Sequence, residues 1–139
     1  PIMKAYESQK PSYFATPPVN LVNALRVSLK EMLYRGMEDT FKAHNDAAAD
    51  VHRFLGEAGL DVVPVRKELC ANTLSAIRYP EGVTGPKLLP EIIKNGAIVA
   101  GGLHAEIKDE YFRLGHMGYS VTNRDEKHIE RTLKAIVNG

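Results

Sequence analysis

The sequence predicts an α+β fold in which helices pack on one face of a small sheet. Two long apolar stripes at helical spacing come first, and short β-rich segments interspersed with helical patterns follow. The chain has 139 residues, of which 44% are apolar and 25% charged, a composition typical of globular proteins. A chain of this length is too short for two complete domains.

The first expected elements are an extended segment and a long helix. Residues 1–18 contain four of the eight prolines and no sustained apolar period, which favours an extended conformation. A helix is expected next, with Thr16 as its N-cap, Pro17 and Pro18 in its first turn, and Gly36 at its end. Its apolar stripe consists of Leu21, Val22, Leu25, Leu29, Met32 and Leu33.

A second long amphipathic helix is expected from Met37 to its end at Gly59. Beyond it the sequence becomes rich in residues that favour strands. Alternating apolar and polar residues, or short apolar runs, predict four strands, at residues 60–65, 73–78, 97–100 and 111–114.

Two shorter helices complete the predicted order α, α, β, β, α, β, β, α. Pro86 is typical of a helix start, and a helix is expected from there to Gly96. The last helix is expected to begin near Asn123, with Asn123 as its cap and Glu126 completing a capping box.

The charge pattern argues against nucleic-acid and membrane partners. Lys and Arg number 18 and Asp and Glu 17, so the net charge is +1, and the two signs are interspersed. The longest apolar stretch, residues 97–103, is too short to cross a bilayer. Because there is no secretory signal and no C-terminal peroxisomal tripeptide, a cytoplasmic location is expected.

The titratable residues do not form a recognisable metal or nucleophile motif. Cys70 is the only cysteine, so an internal disulfide is excluded and a catalytic thiol is disfavoured. His44 and His52 are eight residues apart on a helix, too far apart to hold one metal ion. No metal site is expected.

A first candidate site is the segment that precedes the first long helix. Tyr13 and Thr16 place two hydroxyls just before a helix N-terminus, where the helix dipole favours an anion such as phosphate. Pro17 and Pro18 contribute no N–H group, so the hydroxyls would donate most of the hydrogen bonds. The alternative is a capping Thr16 and a core Tyr13.

A second candidate is Arg113, a charged residue inside an apolar strand that leads into glycines. A guanidinium binds a substrate carboxylate in a bidentate manner as readily as it binds an internal Asp or Glu. A substrate-binding role and an internal ion pair therefore both remain open. The glycine pair Gly101 and Gly102 follows another apolar run and indicates either a tight turn or a close approach to a ligand.

Around these clusters the chain resembles the class V, fold-type I aminotransferases that use pyridoxal phosphate, and it is most similar to the fungal-type alanine:glyoxylate aminotransferases. The resemblance covers essentially the whole chain, which corresponds to the C-terminal third of such an enzyme. The similar segments, in family order, are residues 1–3, 13–19, 41–44, 99–102 and 113–118.

The resemblance implies a domain organisation. Residues 1–18 would be the extended end of the large domain with the cofactor-phosphate motif, and 19–58 the long connecting helices. Residues 59–139 would be the small C-terminal α+β domain, with helices packed on a mainly antiparallel sheet.

The resemblance also implies roles for three residues. Tyr13 and Thr16 match positions that bind the cofactor phosphate of the neighbouring subunit across a homodimer interface. Arg113 matches the arginine that holds the substrate α-carboxylate of small amino acids and keto acids. Gly101 and Gly102 are expected to be structural, and so is His116.

The family attaches its cofactor to a lysine in a Ser-x-Lys segment upstream of the Tyr-x-x-Thr motif, and the chain begins after that position. Lys10, in Ser8-Gln9-Lys10, lies only three residues before Tyr13 and does not match it. No catalytic residue is therefore expected in the chain itself, which would act with an N-terminal remainder. The alternatives are a noncatalytic packing or protein-interaction module, or a related serine:glyoxylate or serine:pyruvate aminotransferase.

Overall fold

The structure, a computed structural model, describes residues 2–13 and 15–139. Pro1 and Phe14, which belong to the segments that carry the resemblance, lie outside the described residues. The chain divides into two compact units, one up to Met37 and the other Glu38–Gly139.

The described residues of the first unit contain two helices, α1 (Ile2–Glu7) and α2 (Val19–Arg35). The prediction of a wholly extended segment is wrong at α1, because the prolines that oppose a helix begin only at Pro11. The predicted start of α2 is also wrong. Pro17 and Pro18 precede the helix, since the Val19 amide donates a hydrogen bond to the Pro17 carbonyl oxygen in a tight turn, with 2.8 Å between nitrogen and oxygen.

The end of α2 is as predicted, because Gly36 has a φ of 91°, in the region that favours glycine. None of the α2 residues is buried. The stripe leaves large apolar side chains on the surface, among them Leu21 (71% exposed) and Leu33 (72% exposed). This unit therefore carries an extended apolar surface along α2.

The second unit consists mainly of helices and a three-stranded sheet. It begins with α3 (Met37–Glu57), of which all residues except Met37 belong to this unit. Its other elements are β1 (Leu74–Arg78), α4 (Gly85–Lys94), β2 (Ala100–Gly101), β3 (Tyr111–Gly115), α5 (Tyr119–Thr122) and α6 (His128–Asn138). The sheet order is β1-β3-β2, with both pairings antiparallel. The α+β prediction with an antiparallel sheet is confirmed.

The central strand β3 has two unlike faces because side chains alternate along a strand. Phe112 and Leu114 are buried and pack in the core with Ile77 of β1. Helices α3, α4 and α6 supply the other half of this core, including Val51 and Ile92, both fully buried.

The opposite face of the sheet carries Tyr111 and Arg113 of β3, and Ala76 and Arg78 lie across from them on β1. Ala100 of β2 is opposite Arg113 on the other side. Arg113, Ala76 and Arg78 are only partly buried. The sheet thus offers its second face to a polar site while its first face holds the core.

Two predicted strands differ from the structure. Residues 60–65 form only a single bridge, Val62 to Ile77, because Pro64 has no N–H with which to extend the pairing. The strand predicted at residues 97–100 is confined to Ala100–Gly101. The reason is that the Ala97 amide closes α4 by bonding to the Ile92 carbonyl at 3.2 Å.

The predicted capping box of the last helix does not form. Residues Arg124–Glu126 make a 3₁₀ turn, and Lys127 adopts a left-handed conformation with a φ of 52°. The helix α6 begins only after Lys127, so Asn123 and Glu126 do not cap it.

The loop between β2 and β3 is closed by a backbone contact at Gly102. A Cβ at this position would collide with the Lys108 carbonyl oxygen and would lie 2.8 Å from the Lys108 Cα and from a Tyr111 ring carbon. At Gly101 the nearest atom to such a Cβ is a Leu89 methyl carbon at 3.9 Å, which is ordinary van der Waals contact. Of these two neighbouring glycines, Gly102 and not Gly101 is obliged to be glycine by its surroundings.

We predict that Gly102→Ala lowers the free energy of unfolding by about 1–3 kcal/mol, because backbone atoms must move to admit the methyl group. The matched variant Gly101→Ala should change it by less than about 0.5 kcal/mol. Urea unfolding of the two variants measures the difference. Equal stabilities would show that the loop relaxes without strain.

Candidate functional site

Arg113 is held by main chain rather than by a carboxylate. Its Nε donates a hydrogen bond to the Gly101 carbonyl oxygen at 2.7 Å, across the β2–β3 pairing. Among the described residues, neither terminal nitrogen of Arg113 has a hydrogen bond or an ion-pair partner. The hydrogen bond at Nε restricts the orientation of the guanidinium plane. It leaves the two terminal nitrogens, Nη1 and Nη2, free to bind a carboxylate in a bidentate manner.

The second arginine on this face behaves differently. Arg78 forms an ion pair with Glu110, with 3.1 Å between Nη1 and Oε2. The internal ion pair considered for Arg113 is therefore found at Arg78 instead. Of these two cations, only Arg113 is left without an acidic partner in the described part of the chain.

Tyr13 and Thr16 lie together in the first unit. Their hydroxyl oxygens are 3.0 Å apart and hydrogen-bonded to each other. Tyr13 is 76% exposed, and Thr16 is also exposed and does not cap α2. In this structure Thr16 does not cap α2 and Tyr13 is not part of a core. Thr16 lies three residues before the 17-residue helix α2, and Tyr13 lies six residues before it. The Val19 and Val22 amides of the first turn bond to the carbonyls of Pro17 and Pro18, so at most the amides between them are left for an anion.

These two sets of residues belong to different units: Tyr13 and Thr16 to the first, Arg113 to the second. The structure brings Tyr13 and Thr16 together and gives Arg113 its orientation within its own sheet. Gly101, expected to be structural, also supplies the acceptor for Arg113.

Three histidines connect α3 to the segment that follows β3. His116 is fully buried, and its Nε2 is 2.9 Å from the Ser75 hydroxyl, which lies 3.0 Å from Nε2 of His52. Ser75 has one hydroxyl proton, so at least one of these rings donates its own proton to Ser75. The expected structural role of His116 agrees with this burial.

His44 forms a second link from α3. Its Nε2 accepts the Gly118 amide at 3.0 Å, so the ring proton must be on Nδ1, which donates to the Thr40 carbonyl at 2.8 Å. The segment after β3 is thus fastened to α3 by side-chain hydrogen bonds.

Desolvation sets the protonation of fully buried His116 and partly buried His52. Desolvation lowers the pKa of His116 below its ordinary value of 6.5, nearby His52 and His44 lower it further, and backbone groups of Asn72 and His116 oppose the shift. Desolvation also lowers the pKa of His52, with a smaller contribution from Lys67. Both rings are therefore favoured in the neutral form.

The sequence interpretation missed the hydrogen-bonded set of His52, Ser75 and His116. It also missed the hydroxyl of Tyr111, whose oxygen accepts hydrogen bonds from the backbone amides of Leu103 at 3.0 Å and His104 at 3.2 Å. The available signal was strand alternation, which places Tyr111 on the same face as Arg113.

Within residues 2–13 and 15–139, no group of three or more His, Cys, Asp or Glu side chains is arranged to hold a metal ion. None of the helices in that part of the chain is long and apolar enough to span a membrane.

Known protein-family models gave no match to the chain. Individual relatives do match it. Alanine–glyoxylate aminotransferase 1 of Saccharomyces cerevisiae is 32% identical over 139 residues, covering 98% of this chain and 35% of the relative. L-aspartate–glyoxylate aminotransferase of Paracoccus denitrificans is 33% identical over 106 residues, covering 76% of this chain and 27% of the relative.

The fold agrees with these relatives. A crystal structure of an alanine–glyoxylate aminotransferase from Nostoc sp. superposes with a TM-score of 0.79 at 26% identity, covering 97% of this chain and 34% of that one. The fold is that of the fold-type I aminotransferases. The chain is a homologue of the class V glyoxylate aminotransferases and corresponds to a C-terminal part of them, about a third of their length.

We predict that the second unit loses stability as the pH falls below 6.5. An unfolded histidine takes up a proton near that pH, whereas folded His116 and His52 resist it because their pKa values are lowered. The contribution of these two histidines to the free energy of unfolding should be fully present above pH 6.5 and should decline as the pH falls towards their lowered pKa values.

The variant His116→Gln keeps a polar group near the position of Nε2 and removes the titrating ring, so the decline should be shallower. Exposed His104, changed to Gln, serves as the matched control and should leave it unaltered. Urea unfolding between about pH 7 and 5 measures the slope. An unchanged slope in His116→Gln would contradict the assignment.

Proposed function

We propose that the chain is the C-terminal portion of a pyridoxal-phosphate-dependent aminotransferase that converts alanine and glyoxylate to pyruvate and glycine. The observation that carries the proposal is the geometry of Arg113, a partly buried guanidinium oriented by the Gly101 carbonyl and free of acidic partners among the described residues. Homology to glyoxylate aminotransferases supports it.

Arg113 would bind the α-carboxylate of the amino acid in one half-reaction and the carboxylate of the keto acid in the other. Its fixed plane would hold the substrate Cα in a constant position relative to the cofactor, which favours proton removal and return at one face. One guanidinium can serve both half-reactions, because alanine and glyoxylate each carry one carboxylate.

The second arginine on the same sheet face, Arg78, bears on which amino donor the site would accept. A dicarboxylate donor such as aspartate needs a cation for its side chain as well as for its α-carboxylate. Arg78 is already paired with Glu110, so these two arginines provide a single free guanidinium. This supports a monocarboxylate donor such as alanine.

The residues present fit the cofactor's phosphate group. Two exposed hydroxyls 3.0 Å apart, in the segment that leads into α2, supply neutral donors, and the positive end of the α2 dipole would favour the anion. In the proposed homodimer, Tyr13 and Thr16 would bind the phosphate of the partner subunit's cofactor.

Pyridoxal phosphate, when bound, supplies the electron-withdrawing ring that transamination requires. The lysine that holds it would come from an N-terminal remainder of the polypeptide. In this proposal the chain itself binds and orients, and it would be inactive alone.

We predict that Arg113→Lys raises the KM for alanine and glyoxylate about tenfold or more, since each lost charge-assisted hydrogen bond contributes roughly 1.5–3 kcal/mol. Cofactor affinity should be unchanged. Steady-state kinetics of the intact enzyme measures the effect.

The control for Arg113→Lys is Arg78→Lys on the same sheet face, which alters an exposed ion pair and should leave both KM values unchanged. If the two variants behave alike, Arg113 does not bind substrate.

We predict that the double variant Tyr13→Phe, Thr16→Ala weakens binding of pyridoxal phosphate about tenfold or more, because two hydrogen bonds to a charged group are lost. Binding of pyridoxal, which lacks the phosphate, should be nearly unchanged and provides the control. Spectrophotometric titration measures both affinities, and an equal loss for the two ligands would contradict the phosphate role.

The same variant tests whether the site is shared between subunits. A subunit carrying Tyr13→Phe and Thr16→Ala is mixed with one that lacks the cofactor-binding lysine. Hybrid dimers, isolated by differential tags, should regain one active site in two. Hybrids no more active than either parent would show that the segment does not act across the interface.

A further inference from the structure

The orientation of Arg113 depends on the position of one carbonyl oxygen, that of Gly101. This carbonyl ends β2, a strand of only two residues. So short a strand has few ladder hydrogen bonds of its own to fix it. The chain that follows Gly101 must therefore contribute to holding the carbonyl in place.

The chain after Gly101 is fastened to Tyr111. The Tyr111 hydroxyl accepts the backbone amides of Leu103 and His104, at 3.0 and 3.2 Å. Tyr111 lies two residues before Arg113 on β3, so both side chains are on the same face of the sheet. One strand thus carries the arginine and also the group that fixes the loop leading away from its acceptor.

The contact is tight and electrostatically matched. A Cβ on Gly102 would meet the Tyr111 ring at 2.8 Å, so the backbone passes directly against the ring. The amides of Leu103 and His104 lower the pKa of Tyr111, burial opposes them, and Arg113 lowers it further. The hydroxyl oxygen therefore lies among positive groups, where it acts as an acceptor.

We propose that Tyr111 is a positioning residue for Arg113. Through its hydroxyl it holds the backbone of Leu103 and His104, and thereby keeps the Gly101 carbonyl where it orients the guanidinium. The inference rests on the proposed role of Arg113 in binding the substrate carboxylate.

A packing role for Tyr111 would depend on its ring, and the residue is buried, with only 7% of its surface exposed. A positioning role depends on the oxygen atom alone. Tyr111→Phe separates the two, because phenylalanine keeps the ring and removes the acceptor. The matched control is Tyr119→Phe, which removes a hydroxyl bonded to the Asn123 side chain and remote in sequence from Gly101.

The experiment compares Tyr111→Phe, Arg113→Lys and the double variant with the parent, all as intact enzyme loaded with cofactor. Tyr111→Phe should raise the KM for alanine and glyoxylate about three- to tenfold, with a smaller change in kcat, because a misplaced guanidinium still binds but binds less well. In the Arg113→Lys background the same change should add almost nothing, since the two residues act as one unit. Tyr119→Phe should match the parent.

A readout independent of catalysis is amide hydrogen exchange. Exchange at Leu103 and His104 should accelerate in Tyr111→Phe, while the thermal midpoint stays close to that of the parent. Unchanged exchange at these two amides would overturn the proposal, because the hydroxyl would then not be holding the loop.

The kinetic outcomes separate this inference from the function it rests on. If Arg113→Lys raises KM but Tyr111→Phe does not, the positioning role is wrong and the proposed function stands. If the two effects add fully in the double variant, Tyr111 acts independently of Arg113 and the positioning role is again wrong. If Arg113→Lys leaves KM unchanged, the proposed function fails and the inference fails with it.

Discussion

The antiparallel pairing of β3 between β1 and β2 is the constraint on which the second unit depends. It forces successive residues of β3 to opposite faces of one sheet, so Phe112 enters the core and Arg113 faces away from it. Burial of Phe112 against α3 and α4 fixes the strand, and the fixed strand in turn gives a charged side chain a defined position. The five residues of β3 therefore contribute both to the core, through one face of the strand, and to the candidate site, through the other.

Much of this arrangement was accessible from the sequence. Helical periodicity predicted α3 and the helix that opens at Pro86, and alternation predicted β1 and β3 nearly to the residue. The errors fall where local signals compete with backbone hydrogen bonds. At Ala97 the amide closes a helix instead of joining a strand, and at Lys127 a left-handed residue delays the last helix.

The candidate site was predicted less completely, for a physical reason. Arg113 was recognisable as a charge in an apolar strand, but its acceptor is a main-chain carbonyl, which every residue possesses and no sequence pattern marks. The hydrogen bond between the Ser75 hydroxyl and His116 joins residues 41 positions apart in the chain, which local periodicity does not reveal. Side-chain type indicated the chemistry, whereas orientation emerged only with the fold.

The loop after Gly102 has a consequence for how this protein tolerates change over evolution. Its tip, residues 103–106, is exposed, so substitutions there alter little of the packing. Its span is fixed at both ends, by the Gly102 contact with Lys108 and by the amides held at Tyr111. Insertions and deletions, unlike substitutions, would shift one anchor against the other. This loop should accordingly drift in sequence while keeping a constant length.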